Sequence, residues 1–112
     1  MAFGVLSGKY RNNQKPKGSR LQLFGDMFPR YVGKLPLLAV EEYFKVAKKH
    51  KISLAQLSLA FVNQQPFVTS NIIGATTIKQ LKEDIESTNI ELSSEIIDEI
   101  NLVHKNNPNP AP

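Results

Sequence analysis

The chain has 112 residues, 41% of them hydrophobic, which is enough for one modest core and a single domain at most. It has no cysteine, so a disulfide framework, a thiolate metal site and a thiol nucleophile are all excluded. No apolar run approaches the roughly 18 residues a membrane span needs, and no signal-peptide pattern opens the chain; a cytoplasmic protein without a membrane partner is expected. The net charge of +4 is unevenly spread. Residues 1–51 hold 11 Lys/Arg against Asp26, Glu41 and Glu42, a balance of +8, while residues 52–112 hold three Lys against seven acids, a balance of −4. A basic half points to an anionic partner, or to a solvated lysine-rich surface.

In chain order, Ala2–Leu6 is short, apolar and glycine-containing, and reads as the end of a buried strand. Ser7–Pro36 collects Gly8, Pro16, Gly18, Gly25, Pro29, Gly33 and Pro36 among charged residues and reads as a long loop, of a length usually functional or mobile in compact domains. Leu37, Val40, Phe44 and Ala47 recur at helical spacing, predicting an amphipathic helix over 37–50 with a cationic last turn. Ser53 is an N-cap for a second helix, Leu54–Asn63, apolar almost all round and stopped by Pro66. Phe67–Ile73 reads as a buried parallel strand. Thr77 and Gln80 form a capping-box pair opening a helix from Ile78 to about Thr88, and a last helix follows Ser93 on Ile96, Ile97, Ile100 and Val103. A Pro/Asn-rich tail, 106–112, ends the chain and is expected to be extended.

Strands alternating with helices indicate an α/β protein with parallel pairing. Two strands cannot close a barrel or make a covered parallel sheet, so the pattern reads as the end of something larger.

Two stretches carry chemistry. Gly4-Val5-Leu6-Ser7-Gly8-Lys9-Tyr10, followed by Gly18-Ser19-Arg20, offers backbone N–H groups to phosphate oxygens, with Lys9 and Arg20 able to neutralise a diphosphate. Ile72-Ile73-Gly74-Ala75-Thr76-Thr77 runs from a strand end into a helix start, an anion site by construction, with two hydroxyls and Lys79 beside it. Each stretch alone has a structural explanation: a basic turn in the first case, a helix cap in the second.

Together, in this order and spacing, the runs Ala2–Tyr10, Gly18–Arg20, Ser53–Leu57 and Ile73–Thr76, with Gln80, Leu81 and Glu83 and the Pro108-Asn109-Pro110 tail, resemble the aldo-keto reductase superfamily. The likeness is to its Tas-like and potassium-channel β-subunit branch, from the seventh barrel strand to the C-terminus. The resemblance implies the C-terminal segment of a (β/α)8 TIM barrel, its last two strands with their helices, over residues 1–105 and an incomplete barrel by itself. It implies NADP(H) as cofactor, bound by Gly4, Leu6, Ser7, Gly8 and Lys9 along the nicotinamide ribose and pyrophosphate. Arg20 would lie in the closing loop, Gly74 and Thr76 at the 2′-phosphate, and Gln80, Glu83 and Asp84 at the adenosine end. Asp84 replaces the family's usual Asn, so it can accept from the adenine amino group but, ionised, cannot donate to the ring nitrogen.

No residue matches the family's catalytic Tyr, Asp, Lys and His, so the chain alone is expected to be an inactive NADP-binding portion of a carbonyl reductase. Tyr10, Tyr31 and Tyr43 lie in a loop or on a helix, and His50 and His104 read as surface residues. Met1 stands where the family has an apolar residue before Ala-Phe-Gly, as in a fragment. The alternative is a stand-alone remnant serving as a nucleotide-binding or interaction module. A nucleic-acid partner is not expected, because Leu54–Val62 is too apolar to lie in a groove. A barrel piece exposes strand edges and helix faces, which predicts self-association.

Overall fold

Helical periodicity governs what forms. The structure, a computed structural model, describes the backbone of residues 1–112 and every side chain except that of residue 26. Five α-helices are present among the described residues: α1 (Arg20–Phe24), α2 (Lys34–Lys49), α3 (Leu54–Asn63), α4 (Ile78–Glu86) and α5 (Ser94–Asn106). The helix expected over 37–50 starts earlier, because Gly33 sits in extended conformation just outside the first turn and Pro36 is accommodated within it. Its C-terminal end closes through Ile52 N–H on the Ala47 carbonyl (3.1 Å) and Lys51 N–H on the Lys48 carbonyl (3.2 Å), with Lys51 left-handed at φ +57°.

The core gathers around α3. Leu54, Ala55, Leu57, Leu59 and Ala60 are all buried there, as an apolar perimeter requires. Val40, Val46 and Ala47 of α2 and Ile96, Ile100 and Val103 of α5 pack with them, joined by Val5, Tyr10, Leu21 and Leu92. Full burial of a Leu or Val side chain is worth roughly 1.5–3 kcal/mol.

Polar ties fix the register of these helices. The Gln64 side chain donates to the Leu92 carbonyl (3.2 Å) and accepts from the Leu92 N–H (2.8 Å), fastening the approach to α5 onto the end of α3. Lys49 bridges Glu95 (2.9 Å) and Glu99, joining α2 to α5. His50 is half-buried beside Glu99, with Nε2 3.2 Å from its carboxylate, rather than a plain surface residue; His104 is exposed.

The two expected strands are not formed, and among the described residues the structure is helical without strands. Ala2–Ser7 coils into a 3₁₀ turn, broken where Phe3 (φ +59°) and Gly4 (φ +92°) are left-handed. Phe67–Ile73 is irregular rather than buried: Phe67 is 81% and Ile72 95% exposed. A strand is half of a ladder, and neither segment meets another extended segment with which to exchange backbone hydrogen bonds. Asn71 ties the second segment to α3, donating to the Asn63 side chain at 3.1 Å, and Val68 N–H turns back onto the Gln65 carbonyl at 3.0 Å. The expected loop Ser7–Pro36 contains α1 and short 3₁₀ turns at Arg11–Asn13, Gly25–Met27 and Pro29–Tyr31. Asn106 is the last residue of α5, and the tail beyond it returns to that region, where Arg30 donates to the Ala111 carbonyl at 3.1 Å.

Candidate cofactor site

The first loop is shaped by two glycines. Gly4 (φ +92°) and Gly8 (φ +78°) occupy backbone conformations that side chains rarely adopt. A Cβ on Gly4 would come within 3.2 Å of Lys9 Cε and 3.4 Å of its ammonium, which is folded over the loop and lies 5.2 Å from the Tyr10 ring centroid. The Ser7 hydroxyl donates to the Gly4 carbonyl at 2.7 Å and accepts from Lys9 N–H at 3.4 Å. Tyr10 is buried, and its hydroxyl accepts from Leu21 N–H at 3.2 Å, drawing α1 onto the loop. Arg20, at the start of α1, holds its guanidinium 5.7 Å over the Phe3 ring, which also stacks on Tyr31 and meets Phe28. Gly4, Ser7, Gly8, Lys9 and Arg20 are therefore brought together. Leu6 instead lines an apolar cavity of about 430 Å³ with Tyr43, Leu57, Phe61, Ile100 and His104.

The second loop enters α4. Gly74 is exposed, with open space where a Cβ would lie. Thr77 accepts from Gln80 N–H at 3.2 Å, which is half of the expected capping box. Gln80 Oε1 does not return to Thr77; it accepts from the N–H and hydroxyl of Thr76, at 3.0 and 2.9 Å. The complete box lies elsewhere, where Ser53 and Gln56 exchange both bonds at the start of α3. Glu83 shares a hollow with Gln56, Ile78, Lys79, Lys82 and Glu86. Burial pushes the half-buried Asp84 carboxyl up from its ordinary value, and the neighbouring Glu83 charge adds to this.

The first loop abuts the beginning of α3, and the helix that the second loop enters, α4, lines a hollow with Gln56 of α3. A Cβ on Gly8 would stand 3.6 Å from the Leu54 side chain, and Gln56, two residues further along, lines the hollow that Glu83 also lines.

Sequence reasoning missed Gln56 and Lys82 as neighbours of Glu83, although the spacing of Ser53 and Gln56 is itself a readable capping signal. It also missed Arg11, whose fork meets Glu41 30 residues away and leaves no local trace. The tyrosines have other occupations: Tyr10 serves as an acceptor, Tyr31 stacks on Phe3, and burial pushes the Tyr43 hydroxyl up. His50, Glu95 and Glu99 bring three potential metal-ligand atoms within 4.8 Å of one another, but the Lys49 ammonium already sits against both carboxylates, which push it up to about 12.

Residues 1–105 match the model of the aldo/keto reductase family, and the chain belongs to that family. The family is built on the TIM barrel, whereas the described residues of this chain form helices without strands. The chain is 47% identical over 112 residues to protein tas of Escherichia coli (strain K12), a match covering all of this chain and 32% of that one. It is 32% identical over 112 residues to a probable voltage-gated potassium channel subunit beta of Oryza sativa subsp. japonica, covering 96% of this chain and 34% of that one. It is 30% identical over 93 residues to L-glyceraldehyde 3-phosphate reductase of Escherichia coli (strain K12), covering 80% and 27% respectively. The chain thus spans about a third of the length of the curated relatives it matches. No helix among the described residues is long and apolar enough to cross a membrane.

Proposed function

We propose that this chain is the NADP-binding C-terminal portion of an aldo-keto reductase barrel, residues 1–105 with a short tail, serving carbonyl reduction in the complete protein. The observation that carries the reading is that the first loop packs on the start of α3, Gly8 against Leu54, while Glu83 of α4, the helix that the second loop enters, lines a hollow with Gln56 of the same turn. Family membership and a relative whose name is that of a reductase support it.

The residues fit a dinucleotide. The Lys9 ammonium is laid against the Gly4 backbone, so a cation and a glycine turn share one surface. The buried Ser19 hydroxyl, beside Arg20 in the chain, has no hydrogen-bond partner among the described residues and retains capacity for one. Lys9 and Arg20 would face the diphosphate; Gly74 and Thr76, with Lys79 close by, would take the 2′-phosphate. Gln80, Glu83 and Asp84 would face the adenosine. The bound dinucleotide supplies the hydride for reduction, and the chain's own residues bind and orient it. Residues for proton transfer to the carbonyl are to be supplied from outside this chain, which by itself would be inactive. The exposed Phe67 and Ile72 would then cover neighbouring parts of the barrel.

Calorimetric titration of the chain with NADPH and NADH tests this. A Kd on the order of 0.1 mM for NADPH, about −5.5 kcal/mol, is expected. Adenosine 2′,5′-bisphosphate should compete, and no carbonyl-reductase turnover should accompany binding. No heat at millimolar NADPH, or turnover by the purified chain, would overturn the reading.

A further inference from the structure

We infer that Arg11, Glu41 and Phe44 form a clamp that fixes the Gly8–Lys9 turn for the dinucleotide's diphosphate, so that Arg11 is a positioning residue and not itself a phosphate ligand. The inference rests on the dinucleotide reading above.

Arg11 Nε donates to Glu41 Oε1 at 2.7 Å and its Nη2 donates to Oε2 at 2.8 Å, a two-pronged pairing that fixes direction as well as distance. The guanidinium also lies 3.2 Å above the Phe44 ring centroid. Glu41 and Phe44 stand three apart on α2 and so present adjacent side chains to the same fork. The Arg11 side chain is 22% and that of Glu41 38% exposed, so water screens the pair in part and its two-pronged geometry is what holds it. The hydrogen-bonded fork holds the Glu41 carboxyl below its ordinary value and Arg11 above its own.

The clamp reaches the phosphate turn directly. Arg11 N–H donates to the Gly8 carbonyl at 3.2 Å, and Arg11 Cδ lies 3.6 Å from where a Gly8 Cβ would stand. Leu54 is equally close to that position. Gly8 is thus flanked by the Arg11 stem and by α3, while the Tyr10 hydroxyl on Leu21 N–H holds the following residue to α1. The turn is held from three helices, which fixes its backbone and the base of the Lys9 side chain before a ligand arrives. Glu41 cancels the Arg11 charge, leaving Lys9 as the cation of the turn.

A rival role for Arg11, a phosphate ligand held in reserve by Glu41, predicts the opposite sign for one substitution. Under the clamp, Glu41→Gln loosens the turn and weakens NADPH binding about fivefold to tenfold, and Arg11→Met, which keeps an apolar stem, does the same. Under the rival, Glu41→Gln releases a cation and tightens binding. Calorimetry with NADPH and with adenosine 2′,5′-bisphosphate, which reaches the Thr76 end without the full diphosphate, separates local from global effects. In parallel, amide hydrogen exchange at Gly8 and Lys9 is read without ligand. The clamp is supported by weaker NADPH binding, unchanged bisphosphate binding and faster exchange at those two amides in both variants. It is overturned if Glu41→Gln tightens or leaves NADPH binding unchanged, if both ligands weaken equally, or if exchange does not change. A wild-type chain that binds neither ligand overturns the dinucleotide reading, and the proposal with it; the exchange rates then still tell whether the turn is held by Arg11.

Discussion

Replacing Ser53 by alanine isolates the worth of the α3 start. The Ser53 hydroxyl accepts from Gln56 N–H at 3.0 Å, and Gln56 Oε1 accepts from Ser53 N–H at 3.1 Å. The substitution removes the first bond, orphans one amide of the first turn and leaves Gln56 holding the second. Ser53 and Gln56 are half-buried, so water only partly replaces the lost acceptor. The cost should therefore sit in the middle of the N-cap range, about 1 kcal/mol. For a chain of 112 residues, an unfolding entropy of about 2.1 cal/mol/K per residue converts this to a fall of about 4 °C in thermal midpoint. Thr77→Ala is the internal control. Thr77 is exposed, and the Gln80 side chain serves Thr76 rather than closing the box, so the loss there should be nearer 0.5 kcal/mol, about 2 °C. Thermal unfolding followed by circular dichroism at 222 nm reads both. An unchanged midpoint for Ser53→Ala, or an equal loss at Thr77, would refute the argument that the complete box at α3 carries the greater stability.

Two further outcomes follow from local chemistry. Burial raises the folded-state pKa of Asp84, so its charged form is disfavoured at neutral pH and the penalty disappears as pH falls through that pKa toward the unfolded value. Asp84→Asn should raise the thermal midpoint at pH 7 and give no gain near about pH 3; a gain that does not depend on pH would point to packing instead. Lys51 is left-handed at φ +57° in the cap that ends α2, a conformation costing a non-glycine residue about 1 kcal/mol. Lys51→Gly should stabilise by about 0.5 kcal/mol in urea denaturation, since glycine's extra freedom when unfolded offsets part of the relief, and a loss would contradict the described cap.

What the sequence reveals here follows from the range of each interaction. Helix α3 is legible because its determinants are local: Ser53 caps, Leu54, Ala55, Leu57, Leu59 and Ala60 repeat at helical spacing, and the helix runs from Leu54 to Asn63 as that pattern predicts. The same holds for α5, whose expected apolar set supplies the buried Ile96, Ile100 and Val103. Strand character is different. Ala2–Leu6 and Phe67–Ile73 have β-like composition, but composition cannot supply the second half of a ladder, and the chain spans about a third of its relatives' length. Of the candidate site, the loops are legible because glycine, threonine and cap positions are short-range signals. The packing of Gly8 on Leu54, and the hollow that α4 lines with Gln56, are tertiary facts.

The charge asymmetry shows why counting cations is a poor guide to a ligand. Of the 11 basic residues in the first half, Arg11 is held by Glu41, Lys45 by Glu42, and Lys49 by Glu95 and Glu99, while Arg30 donates to the Ala111 carbonyl. Glu41 and Glu42 are already counted in the +8 balance, so of these pairings it is that of Lys49 with Glu95 and Glu99 that sets the +8 segment against the −4 segment. Lys9 and Arg20 are placed differently: their cations lie over the rings of Tyr10 and Phe3. An aromatic face orients a cation without neutralising it, so it keeps its full attraction for an incoming anion. Those two cations flank the glycine turn that Arg11 fixes. A basic surface built for nucleic acid would spread unpaired charge along a face; in the proposed reading, Lys9 and Arg20 beside the glycine turn would instead meet a single diphosphate.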